Sequence, residues 1–551
     1  MRTTNMKARM ARAVGGTALA LVSLLAVSAR AAAPGITAAP FTGSSSTFNL
    51  AAKAAYMTQP DGASIYSWGY GCSGTATFAP STITGGFCSD MQIPGPTLIV
   101  NQGDTVTLTL ANNLPAAAGS TSILFPGFDV TATGGAPGVL TKEAVHGGTV
   151  TYTFVASTPG THAYYSGTRA SLQVEMGLYG ALIVLPKNAN GTGTVLKSVL
   201  PDGYSTPAGL PATCVALGSK ATRAAAEADY RLAAAAYNNP AACYDREYLV
   251  QLSEIDPGIH RQAEEQVLAD QQKAQQCTAA TGCLVVATEP YKPAYFLANG
   301  RSMPDLMDPN YAPQYPHQPY NGNPHMHPGE LTLIRVIGQG RMQHPLHEHA
   351  NHVRLLARDG NLLLSQTPGS TKLAGPLLFT TTSTPGQTLD GIFQWTAKGL
   401  NWDVYAHADG ITTENCAADA NGYYTTGSGA PTTAPNYYEW CADHKKPLEA
   451  KPFGNVGSGG PVTLPDPNIV ANGPWYSGSP YFGPDANARS VGPTPIPPFG
   501  TIANDPGGEA GFAYMWHSHN EREITTNNIF PGGMMMMMLV DPWVFSINEA
   551  N

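Results

Sequence analysis

The sequence predicts an all-β protein of two Greek-key β-sandwich domains that carry helical and long-loop insertions. Three features predict it. Only 12% of the 551 residues are charged, while Gly (59) and Pro (46) abound, a composition that favours short strands joined by many turns. Hydrophobic residues alternate with period two in several short runs, as on a half-buried strand. One strand-turn-strand pattern occurs twice, which is the trace that duplication of a β unit leaves.

The elements follow in chain order. Arg2, Lys7, Arg9 and Arg12 precede an apolar run from Val14 to Val27, and Ala29-Arg30-Ala31 has the form of a cleavage site. Residues 1–31 are therefore expected to be a signal peptide, which places the protein outside the cell or in the periplasm. Their removal takes away five positive charges and no acids, moving the net charge from −9 to −14. So acidic a chain makes a poor partner for nucleic acid, whose phosphates need basic patches. Residues from about 34 to 60 are small and polar and read as a loose arm. The first domain is expected at 40–190. In it Thr97-Leu98-Ile99-Val100 enters the turn Asn101-Gln102-Gly103-Asp104, Thr105–Leu110 alternates, 147–156 is strand-like, and Gly180–Pro186 closes the unit.

Residues 191–244 are expected to be a helical insertion. Ser219 can cap an Ala-rich helix over 219–237 that Asn238-Asn239-Pro240 stops. Ile259–Gln276 is a second helical candidate. The second domain is expected at 245–545. Its Pro328-Gly329-Glu330 turn and Leu331–Ile337 strand echo the Gly103-Asp104 turn and the strand after it. Residues 408–510, rich in Gly, Pro, Asn and Tyr, are expected to form a long loop insertion. Beyond the N-terminus no apolar run is long enough for a transmembrane helix. Eight cysteines, at 72, 88, 214, 243, 277, 283, 416 and 441, suit disulfides in an exported chain. Sequence leaves their connectivity open, and pairing of neighbours is the expectation. None stands near a histidine cluster.

Histidines are unevenly placed. His344, His347, His349 and His352 fall within nine residues, His517 and His519 form a pair far downstream, and His325 and His327 form another. Residues i and i+2 of a strand share a face. His347 with His349, and His517 with His519, can each present two imidazoles to one side, and neutral imidazole suits copper, zinc, iron and nickel. The alternative is a set of surface histidines on polar loops. Glu348, Glu521 and Glu523 either orient imidazoles or face solvent. Met534–Met538 invites a copper(I) reading through its thioethers, but alternate residues would split between two faces, which favours core packing. Tyr164 and Tyr165 are better read as packing than as an electron relay.

His344-Pro345-Leu346-His347-Glu348-His349 resembles the His-Pro-x-His-x-His motif of multicopper oxidases. Met515-Trp516-His517-Ser518-His519 with Gly532-Gly533-Met534 resembles their Trp-His-Cys-His and Gly-Met segments. Ile93-Pro94-Gly95-Pro96, Asn101–Asp104, Ala298-Asn299-Gly300-Arg301 and Pro328-Gly329-Glu330 resemble domain starts of the same family. The likeness covers roughly residues 90–187, 245–360 and the last forty or so. It implies cupredoxin-like sandwiches, copper as cofactor, and a reductant that passes electrons through a type 1 copper to a trinuclear cluster where dioxygen is reduced. By resemblance His347, His349, His517 and His519 match cluster ligands, His344 a type 1 ligand and Met534 its axial methionine.

The departures are large. Ser518 stands where the type 1 cysteine belongs, and a hydroxyl cannot replace that thiolate. Glu523 stands where a histidine is expected. In the first domain Leu124-Phe125-Pro126 and Tyr165-Ser166-Gly167 replace His-rich motifs, so that domain supplies no ligands. Metal ligands are therefore expected at His347, His349, His517, His519 and His344. The expected function is a secreted copper-binding oxidoreductase taking a small-molecule or metal-ion reductant and dioxygen. The alternative is a non-catalytic exported copper-binding or structural protein. Two-domain relatives often assemble as trimers with copper between subunits; here the first-domain ligands for such sharing are missing, and a homo-oligomer is left open.

Overall fold

The computed structural model describes residues 33–38, 44–80, 85–186, 230–395 except 234, 240–241, 274–276 and 371, then 417–418, 422, 424–425, 478–481, 511–541 and 547. Within them the strands form four larger sheets, two in each half of the chain. In the first half, one sheet has the order Gly160–Tyr165, Tyr179–Leu185, Leu98–Asn101, Gly35–Thr37, Thr77–Ala79. The other has the order Ser64–Cys72, Ser45–Thr58, Thr105–Asn112, Thr149–Val155, Thr131–Gly134. Thr105–Asn112 shows the alternation that drives the packing. Val106, Leu108 and Leu110 are buried and their neighbours face outward, so one side of the strand joins Phe48, Leu50, Tyr152, Phe154 and Leu182 in a common core.

Two sequence expectations fail here. Residues 34–60 are not a loose arm, because Ser45–Thr58 is a 14-residue strand. It pairs antiparallel with Ser64–Cys72 and parallel with Thr105–Asn112. Its alternation is real, with Phe48 and Leu50 buried, but the small residues around them mask it. The expected helix at 219–237 falls outside the described residues up to 229, and its tail is not helical. There the backbone N–H of Ala233 donates to the Tyr244 hydroxyl at 3.1 Å, and that of Ala236 to the Ala242 carbonyl at 2.8 Å. Tertiary partners override the helix propensity of alanine.

The second helical expectation holds, shifted slightly. Pro257–Gln272 is a helix that begins with Asp256 as N-cap and Pro at its first position. In the second half, one sheet has the order Tyr295–Ala298, Arg246–Ile255, Leu331–Gly338, Thr388–Gln394, Val353–Arg358, Asn361–Leu362. The other has the order His325–Met326, Met535–Val540, Gly511–Ser518, His344–Glu348, Thr380–Ser383. Gly478–Tyr481 also pairs with Gly511–Ser518, so the expected loop at 408–510 contains a strand. Ala417–Ala418 and Tyr424–Thr425 pair within it as well, while most of the rest of that loop, the expected signal peptide and most of the 191–244 linker lie outside the described residues.

Neighbour pairing of cysteines is seen in Cys72–Cys88 and Cys277–Cys283. Cys243 is also disulfide-bonded. No described cysteine is free.

The halves are joined by a buried charged cluster. Arg335, on Leu331–Gly338, donates to Glu247 at 2.9 and 3.0 Å and to the Thr161 hydroxyl of the first half at 3.0 Å. Thr161 in turn donates its hydroxyl hydrogen to Asp390 at 2.6 Å, and Asp390 also lies 3.7 Å from Arg335. All are buried, so removing the cation strands two carboxylates away from water. Arg335→Met is expected to cost about 3–5 kcal/mol, measured by urea unfolding; a loss below about 1 kcal/mol, typical of an exposed pair, would contradict this.

Candidate metal centre

His344–Glu348 lies antiparallel to Gly511–Ser518, with His347 directly opposite His517, Leu346 opposite Ser518 and Glu348 opposite Trp516. Alternation then sorts every side chain of the two strands. Leu346, Glu348, Trp516, Ser518 and His344 fall on the inner face and are almost wholly buried. His347 and His517 fall on the outer face, and His349 and His519, two residues on, continue it. The four rings gather there. His347 lies 4.9 Å from His349, 5.5 Å from His517 and 4.9 Å from His519, centroid to centroid. His349 lies 5.1 Å from His517.

The donor atoms converge as well. One ring nitrogen from each of His347, His349 and His517 lies within 4.8 Å of the others, and the Nε2 atoms of His349 and His517 are 3.2 Å apart. His517 donates Nδ1–H to the Ser518 carbonyl at 2.7 Å. That bond puts the lone pair on Nε2, the atom facing His349. His347 Nδ1 bonds the Thr380 hydroxyl at 2.8 Å. Burial, and then the neighbouring His517 and His519, push His347 down to about 4 despite a hydrogen bond that it gives to the Phe379 backbone. Burial likewise lowers His517. Both stay neutral at ordinary pH, the form that ligates metal. Three imidazoles with a fourth beside them suit copper. His519 is exposed and His517 half-buried, so the centre opens on that side. Phe379 packs edge-on against His347 and His352.

His344, expected as a ligand, lies apart from this cluster. It sits on the opposite face of its strand, and both ring nitrogens are engaged. Nδ1 is 2.9 Å from Glu523 Oε2 and Nε2 is 2.8 Å from Glu254 Oε2. Burial alone would lower its pKa, but the hydrogen bonds and charges of Glu254 and Glu523 outweigh that and raise it to about 9. The Ser518 hydroxyl donates to the same Glu523 oxygen at 2.5 Å. Ser518, Glu523 and His344 therefore meet, as the motif resemblance implies, but around hydrogen bonds.

The three acids near the histidine motifs divide. Glu348 is buried on the inner face and accepts from Thr381 at 2.6 Å. Glu523 serves His344, and Glu521 is exposed. His325 and His327 lie two strands away, anchored on the Asp541 carboxylate and carbonyl at 2.8 Å each. Met534, Met536 and Met538 are core. In the first domain Phe125 packs against Tyr152, Phe154 and Tyr164, so apolar packing occupies the motif position. Glu254, Tyr291, Thr380 and Phe379 were not foreseen, since only the tertiary fold brings them to these histidines.

Known proteins share part of this chain. Residues 73–189 match the multicopper oxidase family. The chain is 37% identical over 99 residues to a multicopper oxidase of Talaromyces pinophilus, covering 17% of this chain and 16% of that one. It is 36% identical over 115 residues to copper resistance protein A of Pseudomonas syringae pv. tomato, covering 20% and 18%. The matched stretch is about one-sixth of the length of these curated relatives. Among solved structures, a blue copper oxidase from Nitrosomonas europaea aligns over 89% of this chain and 85% of its own, at 14% identity and a TM-score of 0.42, too weak to add to what the sheets show. The likeness to multicopper oxidases thus rests on the first domain, and copper is the metal of that family. No described helix is long and apolar enough to cross a membrane.

The raised pKa of His344 sets a pH dependence. A histidine whose folded pKa lies above its ordinary 6.5 stabilises fully below that value, and the contribution fades as pH rises through about 9. The stability difference between the parent and His344→Gln is expected to be larger near pH 6 than near about pH 10 in urea unfolding. A difference that grows with pH would contradict the assignment.

Proposed function

We propose that this chain is an exported copper-binding oxidoreductase with a reduced ligand set, in which His347, His349, His517 and His519 hold the metal. The observation that carries this reading is the convergence of three imidazole nitrogens within 4.8 Å on one sheet face. When bound, copper would supply one-electron chemistry between a small-molecule or metal-ion reductant and dioxygen. The chain's own residues do the rest. The Ser518 carbonyl fixes the His517 tautomer, Thr380 orients His347, and the exposed edge at His519 admits a small reductant directly. Such direct access matters because Ser518 stands where the relatives' thiolate would carry electrons in.

The second reading is non-catalytic copper binding. It is favoured by the inner face, where the Ser518 hydroxyl is committed to Glu523 and the electron route of the relatives has no counterpart. Oxygen consumption with a phenolic donor separates the two readings.

Copper titration is the direct test of the ligands. The paired substitutions His347→Ala with His349→Ala, and His517→Ala with His519→Ala, are each expected to weaken binding more than about 100-fold, the upper end of what loss of a supporting partner alone costs. His344→Ala should bind as the parent does. Parent-like binding by both paired variants would sink the assignment. Loss of copper with oxidase activity unchanged would sink the catalytic reading and leave the second. Copper-loaded protein should also lack an intense band near about 600 nm, since no thiolate reaches the metal; a strong band there would place a cysteine on copper.

A further inference from the structure

A cleft of about 360 Å³ lies between the two halves of the chain, and none of the clustered histidines lines it. Pro126, Gly127 and His162 face it from the first half, and Asp359, Pro385 and Gln387 from the second. We propose that this cleft binds a small primary amine, whose ammonium group donates to His162, Asp359 and Gln387 while its apolar body lies against Pro126 and Pro385.

His162 is the most informative of these groups. It is only 4% exposed, and its Nε2–H donates to the Thr158 carbonyl at 2.9 Å. A carbonyl can only accept, so the hydrogen sits on Nε2 and the lone pair on Nδ1. Burial holds the ring below its ordinary pKa and so neutral; the Thr158 bond and the charges of Asp390 and Asp359 oppose this, and Arg335 adds to it. Nδ1 has no hydrogen-bond partner among the described residues. It faces Gly127, where a Cβ would lie 3.9 Å from Nδ1 with nothing nearer. The absent side chain leaves that lone pair open to the cleft.

The other half supplies two further acceptors. Asp359 follows the strand Val353–Arg358, and its neighbour Gly360 backs onto the His162 ring, where any Cβ would come within 2.7 Å of Cε1. One Asp359 oxygen accepts from the Thr388 N–H at 2.8 Å, and the other has no partner among the described residues. The Gln387 side chain bonds none of them either. Asp390, by contrast, already has Arg335 at 3.7 Å, so Asp359 is the carboxylate left for a ligand.

An ammonium group brings three N–H donors and one positive charge. That matches three open acceptors of which one is an anion. A metal ion fits less well, because only His162 and Asp359 among the lining residues are common ligands. Among the described residues three such groups gather only at His347, His349 and His517. The walls are held before a ligand arrives. The Thr388 hydroxyl donates across the halves to the Thr161 carbonyl at 2.6 Å, and Phe128 packs on the His162 ring at 4.7 Å. A preformed site loses little entropy in ordering itself. Its ligand touches both halves, so binding also resists unfolding.

Benzylamine is the probe, in a chelating buffer so that it cannot register by ligating copper; failure here therefore leaves the copper reading untouched. Calorimetry is expected to show saturation at a single site, and melting should rise with benzylamine concentration. The 15N signal of His162 Nδ1, assigned by its absence from His162→Phe, should shift on binding. Benzyl alcohol keeps the shape without the charge. Asp359→Asn keeps the Thr388 bond without the charge, and Asn tolerates the positive φ of 49° at that position. Each is expected to weaken binding by about tenfold or more, the order of a charge-assisted hydrogen bond. His162→Phe keeps a ring against Phe128 but offers no acceptor, and should bind as weakly; if it fails to fold, Asp359→Asn decides. Absence of saturable binding, or parent-like binding by folded Asp359→Asn, overturns the proposal. Benzyl alcohol binding as tightly as benzylamine overturns it too, and leaves an apolar cleft only.

Discussion

Everything at the centre depends on one antiparallel pairing, His347 opposite His517. A strand offers its side chains alternately to two faces, and a slip of one residue would exchange them. The register observed here puts four imidazoles on the outer face. It puts Leu346, Trp516, Glu348, His344 and Ser518 on the inner one. The imidazole cluster and the buried hydrogen-bonded network are thus two faces of one ladder. The inner face holds the register in turn, because Trp516 packs against Phe393 at 5.0 Å and donates to the His349 carbonyl at 3.2 Å.

The inner face shows what replacing a thiolate by a hydroxyl entails. Ser518 is a hydrogen-bond donor and Glu523 an acceptor, so the pair closes upon itself at 2.5 Å. His344 then finds carboxylates on both sides. A site of this kind prefers a proton to a metal ion, since both ring nitrogens face carboxylate acceptors and the protonated ring has no lone pair for a metal. On the outer face the Nδ1 bond of His517 turns its Nε2 toward His349, and Nδ1 of His347 meets Thr380. The same residue type does opposite work a few ångströms apart, decided by which nitrogen finds a partner.

Much of this was legible in the sequence. The period-two run at Thr105–Leu110, and the same Gly-marked turn before the apolar run Leu331–Ile337, gave these strands nearly to the residue. The His-x-His spacing gave the outer cluster for the same reason. Ser45–Thr58 was not legible, since alanine and threonine carry little contrast between faces. The 230–237 segment was misread because its alanines look helical while its N–H groups find partners in Tyr244 and Ala242. Glu254 and Tyr291 carry no local signal. They lie 90 and 53 residues before His344 and reach it or its neighbour Glu254 only through the fold.

The separation of the two faces can be examined in one experiment. Crystals of the copper-soaked protein, measured on both sides of the copper absorption edge, locate the metal without assumption. The account places the anomalous peak among His347, His349 and His517, with none between His344, Ser518 and Glu523. A peak at the second position would show that the inner face still binds metal, and the division of labour between the faces would be wrong.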